Sequence, residues 1–281
     1  MKYYLGCSGW SYDEWKGRFY PEHLEKKYWL SYYSQIFNFV EIESTFYKIP
    51  SHLIVQRWMM ETPNDFKFAV KFPKMITHNS HLSDLRQIMR KFYNVMRPLK
   101  NKILSFLIQL PPWLDVLEGI NFLNSLDVLL DKSFRYAIEV RHPSWFNDVS
   151  YNYLKSHDYC LVWSQHDKLA TPPIITSDFV YMRLIGNRSF DDKNFGKIVF
   201  DRTAEMEVWS KILLVIQNKV TTVSMAIVSA NNYYSGFGPA SAKSMTELMK
   251  LGQTMTFPIT NYKLSIGDLE DKKDKNLRLD N

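Results

Sequence analysis

Eight short apolar runs recur along the chain, and a helical pattern separates all but one neighbouring pair. The runs are Tyr3–Cys7, Phe39–Thr45, Lys67–Phe72, Ile103–Leu110, Arg135–Arg141, Tyr159–Ser164, Phe179–Leu184 and Thr222–Ser229. Residues 23–37, 51–61, 83–97, 119–132, 148–157 and 203–218 lie between them with helical spacing, and 239–251 follows the last. In 83–97, for example, Leu85, Ile88, Met89, Phe92 and Met96 share one face. The last helix is expected to open on Pro239 and stop before Gly252. Only the stretch 166–178, with Pro172 and Pro173, carries no helical pattern; a loop or short turn is expected there. Strand–helix alternation calls for a parallel sheet with helices outside. Eight such units in about 260 residues fit a closed (β/α)8 TIM barrel, with the helix between the sixth and seventh strands weak or missing. A doubly wound open sheet is the alternative. No Gly/Ser/Pro-rich linker divides the chain, so one domain is expected over 1–267, followed by a charged, disordered tail at 268–281.

The strands of a parallel barrel are covered on both faces and should be nearly all apolar. Several here are not, and the exceptions follow a period of two. Glu41, Glu43 and Thr45 alternate with Val40 and Ile42. Lys71 alternates with Val70 and Phe72, Glu139 and Arg141 with Ile138 and Val140, and Arg183 with Met182 and Leu184. The apolar face must meet the helices, so the charged face points into the barrel near the C-terminal strand ends. Burying these charges is costly unless they pair with each other or with a ligand. An internal ion-pair network is the structural alternative to a site. Barrel active sites lie at this end in essentially every characterised case.

The loops after these strands concentrate aromatics and glycines. Segment 6–21 (GCSGWSYDEWKGRFYP) holds Trp10, Tyr12 and Trp15; later loops bring Tyr47, Gln109, Trp113, His142, Trp145, Asn231 and Asn232. Six of the ten glycines (Gly6, Gly9, Gly17, Gly186, Gly236 and Gly238) fall in or beside the loops after the first, seventh and eighth strands. Those loops become neighbours when a barrel closes. Aromatic faces stack sugars, nucleobases and guanidinium groups. For Trp15 and Trp113 a packing role is favoured; for Trp10, Tyr47 and Trp145 packing and binding weigh equally. His142 suits general acid–base work, or else braces the Pro143 turn. His78 and His81 lack the carboxylate and further His of a metal site, and no metal or cofactor is expected.

Seven ordered blocks carry a family resemblance: GCSGWSYDEWKGRFYP, FVEIESTFYKIPS, FKFAVKFPKMITH, FLIQLPPW, AIEVRHPSW, YMRLIG and NNYYSGFGPASA. Together they resemble the domain-of-unknown-function 72, or YecE-like, family over about residues 4–250. The resemblance implies a TIM-type barrel and no established activity. It implies motif residues at Trp10, Tyr12, Trp15, Glu41, Thr45, Tyr47, Lys71, His78, Gln109, Glu139, Arg141, His142, Trp145, Arg183, Asn231 and Asn232. The chain departs from the family pattern at Glu43, where a small amide is commoner, and at Ala230 and Ser241.

The formal charge is +6 with a pI near 9.0, modest and scattered. Cys7 and Cys160 are too few for a disulfide framework and read as small buried hydrophobes. The N-terminus lacks the pattern of a signal peptide and no run approaches a membrane span, so a cytoplasmic location is expected. Two function classes follow. In the first, an enzyme or ligand-binding barrel takes a small anionic compound such as a phosphosugar or nucleotide. Lys71, Arg141 and Arg183 would hold the anion, Glu41 or Glu139 would move a proton, and Lys71 could alternatively react with a carbonyl. Gln109 and Asn231 would orient hydroxyls, and Trp10, Tyr47 and Trp145 would stack a ring. In the second, the basic surface and aromatic mouth bind nucleic acid, with or without nuclease activity. A non-catalytic small-molecule sensor is a third possibility.

Overall fold

The computed structural model describes residues 1–78, 85–251 and 257–258. All eight expected strands form, as β1 (Lys2–Ser8), β2 (Phe39–Ile42), β3 (Lys67–Lys71), β4 (Ile103–Gln109), β5 (Tyr136–Glu139), β6 (Cys160–His166), β8 (Phe179–Gly186) and β9 (Met225–Ala230). A two-residue strand, β7 (Leu169–Ala170), pairs antiparallel with the end of β6. The other pairings are parallel and run β1 to β6 in order, then β8 and β9. β9 returns to β1 over six residue pairs, from Lys2↔Met225 to Cys7↔Ala230. The eight parallel strands therefore form a closed barrel, and the open-sheet alternative is excluded.

The connecting helices are α1 (Trp29–Ile36), α2 (Ser44–Tyr47), α3 (His52–Glu61), α4 (Lys74–Thr77), α5 (Leu85–Met96), α6 (Val116–Asp127), α7 (Asp148–Ser156), α8 (Thr203–Lys219), α9 (Asn232–Ser235) and α10 (Gly238–Leu248). α6 begins earlier than its hydrophobic pattern suggests. Asp115 accepts a hydrogen bond from the Glu118 amide at 2.9 Å and starts the helix there. Between β6 and β8 a hairpin and extended chain replace the helix, as the prolines require. Trp163 donates to the Ile174 carbonyl at 3.0 Å, and Thr176 accepts from the Leu161 amide at 2.7 Å. The loop thereby covers the strand face a helix would have covered. No helix among the described residues is long and apolar enough to cross a membrane. The expected tail at 268–281, and His81, lie outside the described residues.

The period of two sorts the strands into an outer and an inner core. Val40, Ile42, Phe68, Val70, Ile138, Met182 and Leu184 pack outward in the large cluster that includes the helices. A separate inner cluster fills the lower barrel with Tyr4, Phe39, Ala69, Leu107, Ala137, Val162, Tyr181 and Ile227. Cys7 belongs to the outer cluster and Cys160 to the inner; both are buried and free. One step further along each strand the inward residues turn polar: Ser8, Glu41, Lys71, Glu139, Ser164, Arg183 and Ser229, all buried. Strand register aligns them in one layer, with Ser8 opposite Glu41, Ser164 opposite Arg183, and Arg183 opposite Ser229. Three serines in this layer leave room for long charged side chains.

Candidate functional site

Arg183 stands at the centre of the polar layer and is fully buried. Its Nε donates to Glu41 Oε2 at 2.8 Å, and its Nη2 donates to Glu41 Oε1 and to Glu43 Oε1, each at 2.5 Å. Nη1 donates to Glu139 Oε2. Glu41 is held further by the hydroxyls of Ser8 at 2.9 Å and Tyr181 at 2.5 Å. Arg141 lies just beyond β5 and turns back, its Nε 2.5 Å from Glu139 Oε1. Its Nη2 is within ion-pair range of the same oxygen but off hydrogen-bond angle. Lys71 Nζ is 3.5 Å from Glu43 Oε1 and 4.2 Å from the centre of the Phe46 ring. Three cations thus face three carboxylates. Each of the cations expected to hold an anion thus already faces a carboxylate of the chain, as the ion-pair alternative requires.

The cluster also sets the protonation states. Burial alone would raise the Glu139 pKa, but Arg141, Arg183 and Lys71 outweigh it and hold the group far below the usual carboxylate range. Glu43 is partly exposed, and Lys71, Arg183 and Arg188 keep its pKa down at about 2 against the desolvation that would raise it. Glu139 is thereby held ionised by its cationic neighbours. Lys71 moves the other way: burial lowers its pKa and the Arg183 charge adds to this, against the pull of Glu43, Glu139 and Glu41. His78 is likewise lowered, by burial and by Lys71 and Lys74.

Glu43 does not lie on β2. That strand ends at Ile42, and Glu43 opens the helical turn α2. The Thr45 hydroxyl causes the turn, donating to the carbonyls of Ile42 at 3.1 Å and Lys71 at 2.6 Å. Thr45 is therefore a fully buried brace between β2 and β3, not the expected ligand contact. The turn lifts Glu43 into an open cleft of about 490 Å³ at the barrel mouth. Gly9, Trp10, Ser11 and Tyr12 line it after β1, Glu43, Ser44 and Tyr47 after β2, Arg188, Asp192 and Phe195 after β8, and Asn231 and Tyr233 after β9. These are the loops in which the sequence concentrates its glycines. Gly186 shows why: at φ +71° its Cα lies so near the next loop that a Cβ would sit 2.3 Å from the Tyr233 carbonyl oxygen.

The expected site residues divide accordingly. Trp10 lines the cleft and is braced edge-on by Trp58 at 5.5 Å. Tyr47 is 71% exposed at the rim. Tyr12 lines the wall, its hydroxyl tied to the Ser8 carbonyl at 2.6 Å. Asn231 faces the cleft and caps α9 through the Tyr233 amide at 3.1 Å. Gln109 sits beside Glu139 in register, and its buried Oε1 has no hydrogen-bond partner among the described residues.

Four more of these residues are engaged within the fold. Trp145 is a core residue: its indole donates to the Leu114 carbonyl at 3.2 Å and its ring lies over Gly119. Asn232 is buried and accepts from Trp15 Nε1 at 3.1 Å and the Gly238 amide at 2.9 Å. His142 Nδ1 is engaged with the Ser144 hydroxyl at 2.7 Å and amide at 3.3 Å, bracing the Pro143–Trp145 turn. Arg183 is fully buried and hydrogen-bonded to the carboxylates of Glu41, Glu43 and Glu139. Trp15 is core as favoured, whereas Trp113 is 65% exposed beside His78. Sequence reasoning missed Arg188, Asp192, Phe195 and Tyr233. Arg188 was within reach of it, two residues past the glycine that ends the seventh barrel strand.

Fold and site together define a (β/α)8 barrel protein with a charge-balanced polar layer beneath an aromatic C-terminal cleft. A model for the protein family of unknown function DUF72 matches residues 4–262, and the chain belongs to that family. UPF0759 protein YecE of Escherichia coli K12 is 34% identical over 143 residues, 51% of this chain and 50% of that protein. UPF0759 protein YunF of Bacillus subtilis 168 is 28% identical over 155 residues, 53% of this chain and 54% of that protein. The match thus spans about half the length of these curated relatives. A crystal structure of a DUF72 family protein from Thermotoga maritima MSB8 superposes with a TM-score of 0.76 at 26% identity, covering 89% of this chain and all of that one. A DUF72 family protein from Enterococcus faecalis V583 shares the fold, with a TM-score of 0.72 at 20% identity over 92% of this chain and all of that one.

Proposed function

We propose that the cleft binds a small ring-bearing anionic compound, of phosphosugar or nucleotide type, and that the barrel acts on it as an enzyme. One observation carries the reading: Arg188 is exposed on the cleft wall and makes no ion pair among the described residues, while the other cations of the mouth, Lys71, Arg141 and Arg183, face carboxylates. A guanidinium in that position suits a phosphate group, which it grips in bidentate fashion. Tyr47 and Trp10 offer ring faces, and Glu43 and Asn231 offer acceptors for hydroxyls. The lowered pKa keeps Glu43 ionised, and so an acceptor, near neutrality. The nucleic-acid reading needs a track of several unpaired cations along a backbone; among the described residues the cleft lining supplies Arg188.

The test is thermal stabilisation by ribose 5-phosphate, glucose 6-phosphate and AMP beside ribose, glucose and adenosine. At a hundredfold excess over Kd, binding adds about 2.7 kcal/mol. That is a shift of roughly 5–11 °C for a barrel of this size. Phosphorylated members are expected to stabilise the protein, and Arg188→Ala to abolish the effect. Equal responses to phosphorylated and unphosphorylated compounds, or none to any, would overturn the reading.

A further inference from the structure

We infer that Lys71 is the reactive group of the site and forms an imine with an aldehyde or ketone substrate held in the cleft. The inference deepens the proposed binding reading and rests on it for the location of the substrate. Lys71 is the last residue of β3, and its side chain is all but buried, with 4% of its surface open. Its Nζ makes no hydrogen bond among the described residues. The nearest carboxylate oxygen, Glu43 Oε1, is 3.5 Å away and is already taken by Arg183 at 2.5 Å. A buried ammonium kept for stability alone would be expected to hold its acceptors closely, as Arg183 does. Lys71 instead faces the Phe46 ring at 4.2 Å, and His78 packs against that same ring at 5.3 Å. Glu43, 3.5 Å from Nζ, lines the cleft, so the amine lies one side chain behind the cleft wall. The backbone beneath the amine is fixed, since the Lys71 carbonyl accepts from Thr45.

The surroundings enlarge the fraction of Lys71 present as the neutral amine that such a reaction needs. Glu41, Glu43, Glu139, Arg183 and His78 are the charged or titratable groups around Lys71, and burial with the Arg183 charge lowers its pKa. Nζ attacks the carbonyl carbon, an N–C bond forms, and the π pair moves to oxygen. Proton transfer to that oxygen and loss of water give the protonated imine. Of the three ammonium hydrogens, two leave in the water and one remains on nitrogen. The positive charge is therefore kept, and the balance of three cations against three carboxylates is undisturbed. That is an argument for a lysine here: its covalent intermediate has the same charge as its resting state.

The test is reductive methylation of the whole protein with isotopically labelled formaldehyde and cyanoborohydride at pH 7, which passes through an imine on each amine. Peptide mass mapping at short times ranks the lysines. Lys71 is expected to label severalfold faster than exposed Lys48 and Lys219, because burial and the Arg183 charge enlarge its neutral fraction. The label at this position is absent in Lys71→Arg, which keeps the charge. Labelling of Lys71 no faster than at the surface overturns the inference. Formaldehyde carries no anion, so the result does not depend on Arg188. An unreactive Lys71 with intact Arg188-dependent binding of phosphate esters defeats the imine alone. A reactive Lys71 without such binding defeats the proposed ligand class alone.

Discussion

Replacing Arg183 by methionine tests whether the polar layer is one interdependent unit. The wild-type layer pairs Lys71, Arg141 and Arg183 with Glu41, Glu43 and Glu139. Without Arg183, two cations face three carboxylates, and Glu41 loses the ion pair it makes among the described residues. Removing one member of a buried pair costs about 3–5 kcal/mol, a large share of the 5–15 kcal/mol by which domains are stable. At roughly 2–4 °C per kcal/mol the melting temperature should fall by about 6–20 °C. The pH dependence should also change sign. In the wild type, Glu43 and Glu139 titrate below the unfolded value of about 4.3. Their contribution is complete above that value and is lost as pH falls through the folded pKa, about 2 for Glu43. In the variant a surplus buried carboxylate has its pKa raised, so the folded state binds the extra proton and stability declines as pH rises. Guanidinium denaturation followed by tryptophan fluorescence should show a smaller deficit at pH 5 than at pH 7. Adding Glu41→Gln should recover part of the loss. A variant that melts within a degree or two of wild type, or whose deficit is the same at both pH values, would refute the reasoning.

Two further substitutions separate packing from binding. Trp145→Ala removes a buried indole from above Gly119 and should cost about 3–5 kcal/mol in denaturant titrations, with ligand response in the folded fraction unchanged. Gly186→Ala places a methyl group against the backbone of Tyr233 and Tyr234 at positive φ. It should displace the loop carrying Arg188 and weaken stabilisation by phosphate esters more than it lowers the melting temperature of the free protein.

Strand number, order of elements and the inward charged face were legible because a barrel strand imposes a strict period of two on every residue. Glu41, Lys71, Glu139 and Arg183 obey that period and were found by it. Thr45 obeys it on paper, but its own hydroxyl bends the chain after Ile42, and hydrogen bonds of that kind leave no trace in an apolar pattern. Trp145 and Asn232 look like site residues because they sit in mouth loops. Their burial depends on Gly119 and Trp15, which are distant in sequence. An ion-pair network was one of the alternatives, but which cation meets which carboxylate was hidden, since composition shows both signs and not their distances. Arg188 escaped notice because loops carry no periodicity to mark which residue faces a cleft.

The most direct test of the account is a crystal structure of the protein grown with ribose 5-phosphate or AMP at millimolar concentration. The account predicts the phosphate on Arg188, the ring against Tyr47 or Trp10, and hydroxyls at Glu43 and Asn231. Ligand bound only away from the C-terminal mouth, or an empty mouth in crystals that contain the compound, would contradict it.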